Sequence, residues 1–488
     1  MGSGLSSTTG TVDTIIVGAG LSGIGGAARL GMEHPDHDYL VLEGREASGG
    51  TWDLFRYPGI RSDSDMYTLG YRFKPWTGEK ALADGSSILE YVRETAREHD
   101  VERRIRYSHR VVAAEWSSTT ARWTVTAQTP DGVRLFESRF LWATTGYYDY
   151  DEPYAAVIPG LDDFGGQVVH PQHWPEDLDY AGKRVVVIGS GATAVTLVPA
   201  MAQGGAGHVT MLQRSPTYVL PLPEVDPVAA RLRRWLPEKA AYKATRAKNI
   251  AVAVASYQIA RRRPGLAREF VRKANVRSLP EGYPVDRDFK PAYDVWDQRL
   301  CLVPDGDLFR AIRHGQAEVV TDTIAGFTEG GVVLASGRTL PADIVVTATG
   351  LQLLPFGGIP VSVDGREIKL PETMAYRALM LSGVPNFVFT IGYTNASWTL
   401  KADLVADYFC RLVGHVDEHG YRSFVADRDP TVTEVPLMDF SSGYVVRALA
   451  QLPKGGDREP WKLRQNYPYD VRTIRKAPLE DGALRFSC

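Results

Sequence analysis

Two glycine-rich stretches of this 488-residue chain have the residue types and spacing that hold the pyrophosphate of a dinucleotide. Each follows an apolar run typical of a buried strand, Thr14–Val17 in the first case and Val185–Ile188 in the second. The small residues at the key positions are Gly18, Gly20 and Gly23 in the first turn, and Gly189, Gly191 and Ala194 in the second. One such turn is weak evidence, but two predict a pair of bound dinucleotides, which suits an enzyme that moves hydride between cofactors.

The spacing within each turn has a physical reason. The first glycine allows a tight turn, the second lets backbone approach the pyrophosphate, and the third position must be small so that helix packs on strand. The phosphates then lie at the free N–H groups and positive dipole end of the helix. Each stretch alone could also be an ordinary tight turn without a ligand.

The residue after the next strand indicates which dinucleotide binds. The strand-like run Tyr39–Leu42 ends at Glu43, whose carboxylate accepts hydrogen bonds from an unphosphorylated ribose, as in FAD or NAD. The corresponding run His208–Leu212 is followed by Gln213 and Arg214, without an acid. Because arginine suits a 2′-phosphate, we expect NADPH in the second half.

Composition limits the class of protein. The length predicts two or three domains, and a chain with 44% hydrophobic and 23% charged residues is typical of a globular protein. A net charge of −3 gives no reason to expect nucleic acid as a partner. We expect a cytoplasmic protein, since no apolar run is long enough to cross a bilayer and the N-terminus has no secretory signal. Residues Met1–Ser6 match a myristoylation pattern, but we expect a flexible arm there.

The cysteines exclude one class of two-dinucleotide enzyme. Cys301, Cys410 and Cys488 include no Cys-x-x-Cys pair. Disulfide reductases that bind two dinucleotides need a redox-active cysteine pair, so the chain is not one of them. Histidine and cysteine do not cluster at the spacing of metal ligands, and we expect no metal site.

The order of the elements predicts an α/β protein with two Rossmann-like dinucleotide-binding domains. We expect a discontinuous first domain over 11–150 and 340–488 that binds FAD or NAD, and an NADPH-binding domain over 151–339. Two similar runs, Phe140–Gly146 and Asp343–Gly350, end in small residues and glycine, and we interpret them as the crossings between the domains. The substrate cavity should open at the junction.

Two further stretches are candidates for contacts with the first cofactor. A glycine- and aromatic-rich loop follows the second strand and contains Gly50, Thr51 and Trp52. Later, the strand-like run Asn386–Ile391 leads through Asn395 into a predicted helix. The start of that helix would direct N–H groups at the electron-rich end of a reduced flavin; alternatively, the helix only closes the sheet.

A helical, basic stretch from about 221 to 293 interrupts the second unit. It contains Arg261, Arg262 and Arg263, and the apolar piece Ile250–Ala255 lies before them. Such a stretch is typical either of a surface that contacts an anionic membrane or an acidic partner, or of a solvated helical cap with one packed face.

Between the two nucleotide units lies a more specific pattern. It has Phe164, Gly166, His170 and Trp174 in the spacing Phe-x-Gly-x-x-x-His-x-x-x-Trp-Pro. This pattern matches the fingerprint of the Baeyer–Villiger monooxygenases, class B flavoprotein monooxygenases related to the flavin-containing monooxygenases. Residues 49–67, 296–301 and 436–444 resemble bacterial FAD-containing members of that family. The resemblance extends from about residue 13 to 487, so the chain is identified as a member.

The resemblance implies a reaction. Members hold FAD non-covalently, which implies that the first domain, over 11–150 and 340–488, is the FAD-binding domain. They reduce FAD with NADPH, and the reduced flavin reacts with dioxygen to give a peroxyflavin. That species inserts one oxygen atom into a ketone to give an ester, or oxidises an organosulfur compound to a sulfoxide. The expected partners are therefore a small ketone or sulfide and dioxygen.

The resemblance also implies roles for particular residues. The family's active-site arginine corresponds to Arg299, and its partner carboxylate to Asp63. A fixed cation there would stabilise the negative charge that develops during oxygen transfer. Many relatives carry a lysine before this arginine that grips the 2′-phosphate, and here the position is Gln298. Since Arg214 is retained, we still expect NADPH to be preferred over NADH. His170 and Trp174 lie on the interdomain linker and are implied to govern domain movement, with core packing as the alternative.

Two other functions remain open. One is an N- or S-oxygenase that makes no esters. The other is a flavin-binding scaffold, or an NADPH oxidase without an organic substrate.

Overall fold

The computed structural model describes residues 8–438 and 442–488. The myristoylation pattern at Met1–Ser6 and the middle of the 436–444 stretch lie outside the described residues. The predicted α/β class with two Rossmann-like units is confirmed. In each of two separate sheets, one strand leads through a glycine turn into a helix.

The first sheet has nine strands and combines a parallel layer with an antiparallel meander. Its strands are Thr8–Val17, Tyr39–Leu42, Ile105–Arg106, Arg110–Ser117, Arg122–Thr129, Gly132–Ala143, Val361–Val363, Arg366–Glu367 and Phe387–Phe389. The strand Gly132–Ala143 serves both parts. Its residues 132–138 pair antiparallel with Arg122–Thr129. Its residues 135–143 pair parallel with Thr8–Val17, and 141–143 pair parallel with Phe387–Phe389.

The second sheet has five strands, all parallel. In spatial order they are Ala317–Thr321, His208–Gln213, Arg184–Ile188, Ile344–Thr347 and Gln167–Val169. Alternate side chains enter two hydrophobic clusters: Val185 and Val187 on one face, Val186 and Ile188 on the other. Because both faces are covered, these strands are apolar throughout, as their sequence predicts.

The remaining elements cover the two sheets or connect them. The α-helices are Leu21–Glu33, Thr51–Leu54, Met66–Leu69, Gly85–Glu98, Ala192–Gln203, Pro227–Trp235, Glu238–Arg262, Pro264–Ser278, Val285–Asp288, Asp307–Arg313, Trp398–His419, Gly443–Ala448 and Tyr467–Asp470. The other strands are Val219–Leu222, Cys301–Pro304, Ile324–Thr328, Gly331–Leu334, Thr339–Pro341, Ala375–Tyr376, Met380–Leu381, Ser423–Ala426, Glu434–Pro436, Lys454–Gly456 and Leu484–Ser487. Within residues 8–438 and 442–488, no helix combines the length and apolar character needed to span a membrane.

One predicted boundary differs from the structure. The sequence assigns residues from 340 onward to the first domain, but Ile344–Thr347 pairs with Arg184–Ile188 and Gln167–Val169 inside the second sheet. The apolar run suits a strand with parallel neighbours on both sides, and the chain returns to the first unit only after this strand. We therefore move this boundary, as a proposal, to after residue 347.

The two crossing segments lie side by side. Tyr147–Asp149 runs antiparallel to Gln352–Leu354, with hydrogen bonds from Asp149 N to Gln352 O at 2.9 Å and from Leu354 N to Tyr147 O at 2.9 Å. The crossing segments also explain why Gly18 and Gly189 must be glycines. A Cβ on Gly18 would lie 2.9 Å from Thr144 O, and one on Gly189 would lie 2.3 Å from Ala348 O. Each glycine turn therefore packs directly on the crossing strand next to it.

The predicted linker fingerprint forms the edge of the second sheet. Phe164 is buried against Phe327, with ring centroids 6.0 Å apart. Gly166 precedes the edge strand, where a Cβ would lie 2.5 Å from both Asp343 O and the Phe164 ring. His170 accepts a hydrogen bond from Gln172 N, and burial lowers the pKa of His170 to about 4. Trp174 packs against the core of the second sheet.

Gly166→Ala should therefore destabilise the protein by about 1–3 kcal/mol, because backbone and a buried ring leave no room for the methyl group. Gly326→Ala is the matched control, since a Cβ there meets nothing within 4 Å and the effect should stay within about 0.5 kcal/mol. Urea unfolding of the three proteins measures both values. Equal stability of the two variants would contradict this account of the fingerprint glycine.

Candidate active site

A cavity of about 950 Å³ lies between the two sheets and touches both glycine turns. From the first unit it is lined by Gly20, Gly50, Thr51, Trp52 and Asp63, and from the second by Gly189, Gly191, Arg214, Gln298 and Arg299. Most predicted site residues therefore meet in one space, although they come from five separate stretches of the chain. A parallel sheet places its ligands at the carboxyl ends of its strands, and here two such ends face each other.

The first glycine turn and the loop at Gly50 form one binding surface, here called the first cradle; the turn at Gly189–Ala194 forms the second. In the first cradle, two stretches of backbone without side chains approach each other. A Cβ on Gly50 would lie 3.0 Å from Gly20 Cα and 3.3 Å from the hydroxyl of Tyr150. Gly50 has φ +55°, which favours glycine. Gly23 also obeys the predicted packing, because a Cβ there would lie 1.9 Å from Gly18 O. Tyr150, which the sequence analysis missed, lies 3.3 Å from Thr51 Oγ1 and joins the cradle.

Glu43 lies at the end of the second strand, as predicted, but it does not line the cavity. Its Oε2 accepts a hydrogen bond from Ala19 N at 2.7 Å, and its Oε1 accepts one from Arg45 N at 2.9 Å. Burial raises the pKa of this carboxyl group. In this arrangement Glu43 holds the first turn in place, and each oxygen keeps a second lone pair for a ribose hydroxyl.

The second cradle is more open. A Cβ on Gly191 would meet nothing within 4 Å, whereas Ala194 behind it is fully buried. Arg214 lines the cavity, is exposed and has no acidic partner in the part of the chain that the structure describes. A cation of this kind is free to bind a phosphate group.

Both cradles fit the pyrophosphate of a dinucleotide. The helices that follow them, Leu21–Glu33 and Ala192–Gln203, begin at Gly20 and Gly191 without a side-chain cap and without an acidic residue in the first turn. Their first N–H groups and positive dipole ends are thus available to an anion.

Arg299 and Asp63 form a bidentate ion pair inside the cavity. Arg299 Nε donates to Asp63 Oδ2 at 2.6 Å, and Nη2 donates to Oδ1 at 2.5 Å. Asp63 raises the pKa of Arg299 well above its ordinary value, so the guanidinium keeps its charge wherever the protein is folded. The third nitrogen, Nη1, has no hydrogen-bond partner among residues 8–438 and 442–488, and the side chain is 36% exposed.

The loop that carries Asp63 is anchored in the second unit. Phe55 and Tyr57 are buried in the cluster that covers the second sheet. Gly59, with φ +75°, packs so closely on the helix Ala192–Gln203 that a Cβ would lie 2.5 Å from Ala200. Consequently, Asp63 is held by the unit that also provides Arg299.

A second ion pair fixes the same loop. Arg61 Nη1 donates to Asp307 Oδ2 at 2.6 Å, at the start of the helix Asp307–Arg313. The two side chains are only 12% and 11% exposed. In this pair the first unit provides the arginine and the second provides the aspartate. In the pair of Arg299 and Asp63, the second unit provides the arginine and the first provides the aspartate. The sequence analysis missed the Arg61–Asp307 pair: Arg61 lies within the stretch 49–67 that resembles the family, but nothing in the sequence indicates Asp307 as its partner.

Aromatic side chains form the wall beside Arg299. Tyr147 stacks on Trp398 with centroids 5.0 Å apart, and its hydroxyl lies 3.1 Å from that of Tyr148. Burial raises the pKa of both phenols, which therefore stay neutral. Tyr444 lines the same wall. The sequence gave no indication that Tyr147 and Tyr148 would form this wall.

Two predicted contacts are arranged differently. Asn395 does not line the cavity; its Nδ2 donates to Gln465 O at 2.9 Å, and its Oδ1 is buried without a partner among the described residues. The helix beyond it begins at Trp398, whose Nε1 donates to Ser22 Oγ at 2.7 Å, next to the first turn. A role of Asn395 in cofactor binding stays a prediction.

Comparison with known proteins shows the family to which the chain belongs. Over 477 residues it is 55% identical to the FAD-containing monooxygenase EthA of Mycobacterium tuberculosis, covering 98% of each chain. The chain belongs to this family of FAD-containing monooxygenases. It is also 48% identical to the probable FAD-binding monooxygenase AlmA of Acinetobacter baylyi, over 97% of this chain and 96% of that one. Residues 80–223 match the flavin-binding monooxygenase-like family, and residues 16–74 match the NAD(P)-binding Rossmann-like domain.

Solved structures of two monooxygenases share the fold. A steroid monooxygenase bound to NADP superimposes with a TM-score of 0.75 at 22% identity, covering 98% of this chain and 99% of that chain. Cyclohexanone monooxygenase superimposes with a TM-score of 0.73 at 19% identity, covering 98% and 100%. At these identities the likeness establishes the fold, and the predicted family is confirmed by the closer relatives.

We expect the Arg61–Asp307 pair to contribute strongly to stability. Asp307→Asn should cost about 3 kcal/mol, because it leaves Arg61 largely buried without a counter-charge. The charge exchange Arg61→Asp with Asp307→Arg should recover part of that loss. Urea unfolding of Arg61→Asp, Asp307→Arg and the exchange gives the coupling energy.

The exposed pair Arg110–Asp151 is the matched control for this experiment. It has similar geometry, with contacts of 2.5 and 2.8 Å, but its side chains are 54% and 58% exposed. Asp151→Asn should therefore cost less than about 1 kcal/mol. If the effects at Arg61 and Asp307 were simply additive, the proposed coupling would be absent.

Proposed function

We propose that this protein uses NADPH, dioxygen and non-covalently bound FAD to insert one oxygen atom into ketones, giving esters, and to oxidise organosulfur compounds to sulfoxides. The observation that carries the proposal is the free Nη1 of Arg299, in a cavity that touches both dinucleotide cradles. Membership of the FAD-containing monooxygenase family supports the cofactors and the class of reaction.

The cofactors are assigned by the chemistry of the two cradles. FAD suits the first, since Glu43 offers a carboxylate to an unphosphorylated ribose. NADPH suits the second, since Arg214 offers a free cation and no acid would repel a 2′-phosphate. Gln298 lines the same cavity and provides an uncharged amide. The preference for NADPH over NADH therefore depends on Arg214. When bound, NADPH supplies hydride to the flavin, and the reduced flavin supplies the oxygen atom from dioxygen.

Arg299 stabilises charge at the reacting atoms. Oxygen insertion into a ketone places negative charge on the former carbonyl oxygen, and a fixed N–H donor with a full positive charge lowers the energy of that state. Asp63 holds two of the nitrogens, so Nη1 is presented without a loss of side-chain entropy during the reaction. A single well-placed donor of this kind contributes about 3–4 kcal/mol to the transition state.

The aromatic wall explains the class of substrate. Tyr147, Tyr148 and Trp398 provide neutral, largely apolar surface next to Arg299. An apolar ketone or thioether is desolvated there with little cost, and the exclusion of water strengthens the interaction with the guanidinium.

Arg299→Ala should still allow reduction of bound FAD by NADPH but should lower ester formation by about 100-fold or more, because the fixed donor is lost. Anaerobic stopped-flow absorbance measures the reduction step, and mass spectrometry measures the product. Arg310→Ala, an exposed arginine in the same unit without an acidic partner in the described chain, is the control and should match the wild type. Ester formation by Arg299→Ala at the wild-type rate would refute the role.

A substrate pair separates the proposal from its alternatives. With NADPH and air, one ketone and one thioether should each gain a single oxygen atom, detected by mass spectrometry. Sulfoxide without ester would identify an S-oxygenase. Hydrogen peroxide as the only product would identify an NADPH oxidase.

A further inference from the structure

The helical insertion has a charge unlike that of the rest of the protein. Residues 227–278, which form the helices Pro227–Trp235, Glu238–Arg262 and Pro264–Ser278, contain 14 lysine and arginine residues but only 2 acidic residues, a net charge of +12. Because the whole chain carries −3, the remaining residues carry −15. The protein therefore has a strong charge asymmetry, with its positive end on these three helices, here called the insert helices.

Many of these basic side chains are not neutralised within the protein. Arg246 is buried and paired with Asp403, and Arg272 is paired with Asp286. Seven others are exposed and have no acidic partner in the described part of the chain, among them Arg234, Arg262 and Arg263. These cations are available to a partner.

Large apolar side chains lie exposed among these cations. Eight of the sixteen exposed large hydrophobic residues of the described chain fall on or directly beside the insert helices. Trp235 is 82% exposed, Leu266 66% and Phe270 64%. Leu266 and Phe270 are four residues apart, and Val252 and Ile259 are seven apart, so each pair shares one face of its helix. Isolated exposed apolar residues are ordinary, but this concentration is not.

These residues do not belong to the packed side of the insertion. That side is formed by other residues, including Ala241, Tyr242 and Arg246. Tyr242 donates to Tyr71 O at 2.9 Å, and Arg246 donates to Gly70 O at 2.7 Å, which ties the long helix to the first unit. A solvated cap with one packed face accounts for that side and leaves the apolar residues on the outer side unexplained.

We propose that the insert helices form a docking surface for an anionic lipid bilayer. Exposed tryptophan, phenylalanine and leucine interleaved with lysine and arginine are the composition of helices that lie in a membrane interface. The aromatic rings enter the headgroup region, while the cations contact lipid phosphates. The negative charge on the rest of the chain orients the molecule, since only this side is attracted to the membrane. A second copy is disfavoured, because two surfaces that each expose seven cations without an acidic partner among the described residues repel each other.

The test is co-sedimentation of the FAD-loaded protein with phosphatidylcholine vesicles that contain or lack phosphatidylglycerol. Binding should require the anionic lipid and should weaken as salt is added, because the attraction is partly screened. Arg262→Glu with Arg263→Glu should lower the affinity by more than about tenfold. Trp235→Ser with Phe270→Ser should lower it as well, and this loss should persist at all salt concentrations.

Arg366→Glu with Lys462→Glu is the matched control, because both residues are exposed and lie far from the insert helices in the chain. This variant should bind vesicles like the wild type. Retained flavin absorbance and an unchanged circular dichroism spectrum show that each variant is folded. Sedimentation velocity is run in parallel on the wild type and Trp235→Ser with Phe270→Ser.

Three results would overturn the proposal. The first is no binding to anionic vesicles. The second is binding that neither insert variant changes. The third is self-association that Trp235→Ser with Phe270→Ser abolishes in the absence of vesicle binding, which would assign the surface to a second copy. None of these results depends on oxygen transfer, so the proposed reaction and the membrane surface succeed or fail separately.

Discussion

A charged guanidinium and a carboxylate share a cavity whose wall beside them is largely aromatic, and much of the structure serves to keep them there. Removing such a pair from water is costly, and the cost is recovered only if the geometry does not relax. Arg299 and Asp63 meet this condition through two short, parallel hydrogen bonds. The loop before Asp63 is fixed by the burial of Phe55 and Tyr57 in the second unit, and again by the ion pair of Arg61. The pair is thus rigid although its members come from different units.

The two dinucleotide cradles repeat one solution to a steric problem. In each, a glycine packs against the end of a crossing strand so closely that a Cβ would overlap backbone, at Thr144 in the first case and Ala348 in the second. This contact brings the start of each helix to the cavity. Because the crossing segments also pair with each other, both helix starts lie at the one cavity, which the two cofactors would share.

The insertion is large but enters and leaves the fold at one place. It begins after Val219–Leu222 and ends before Cys301–Pro304, two strands that pair in parallel. Since the two strands are neighbours and only four residues long, the ends of the insertion lie about one strand length apart, and its own length adds little to the entropic cost of closing the loop. The fold can therefore carry a surface of very different charge without disturbing the cavity, and the segment that returns from the insertion carries Arg299.

Local sequence was sufficient to predict the two strand–turn–helix units. Gly18–Gly23 and Gly189–Ala194 act within a few residues, and each follows a continuous apolar run. Family resemblance was sufficient to name Asp63 and Arg299. Tertiary structure decided what depends on neighbours distant in the chain: the place of Ile344–Thr347 in the second sheet, Asp307 as the partner of Arg61, and the aromatic wall beside Arg299. An apolar run is equally compatible with either sheet, and an arginine with many acids, so only the packed fold selects among them.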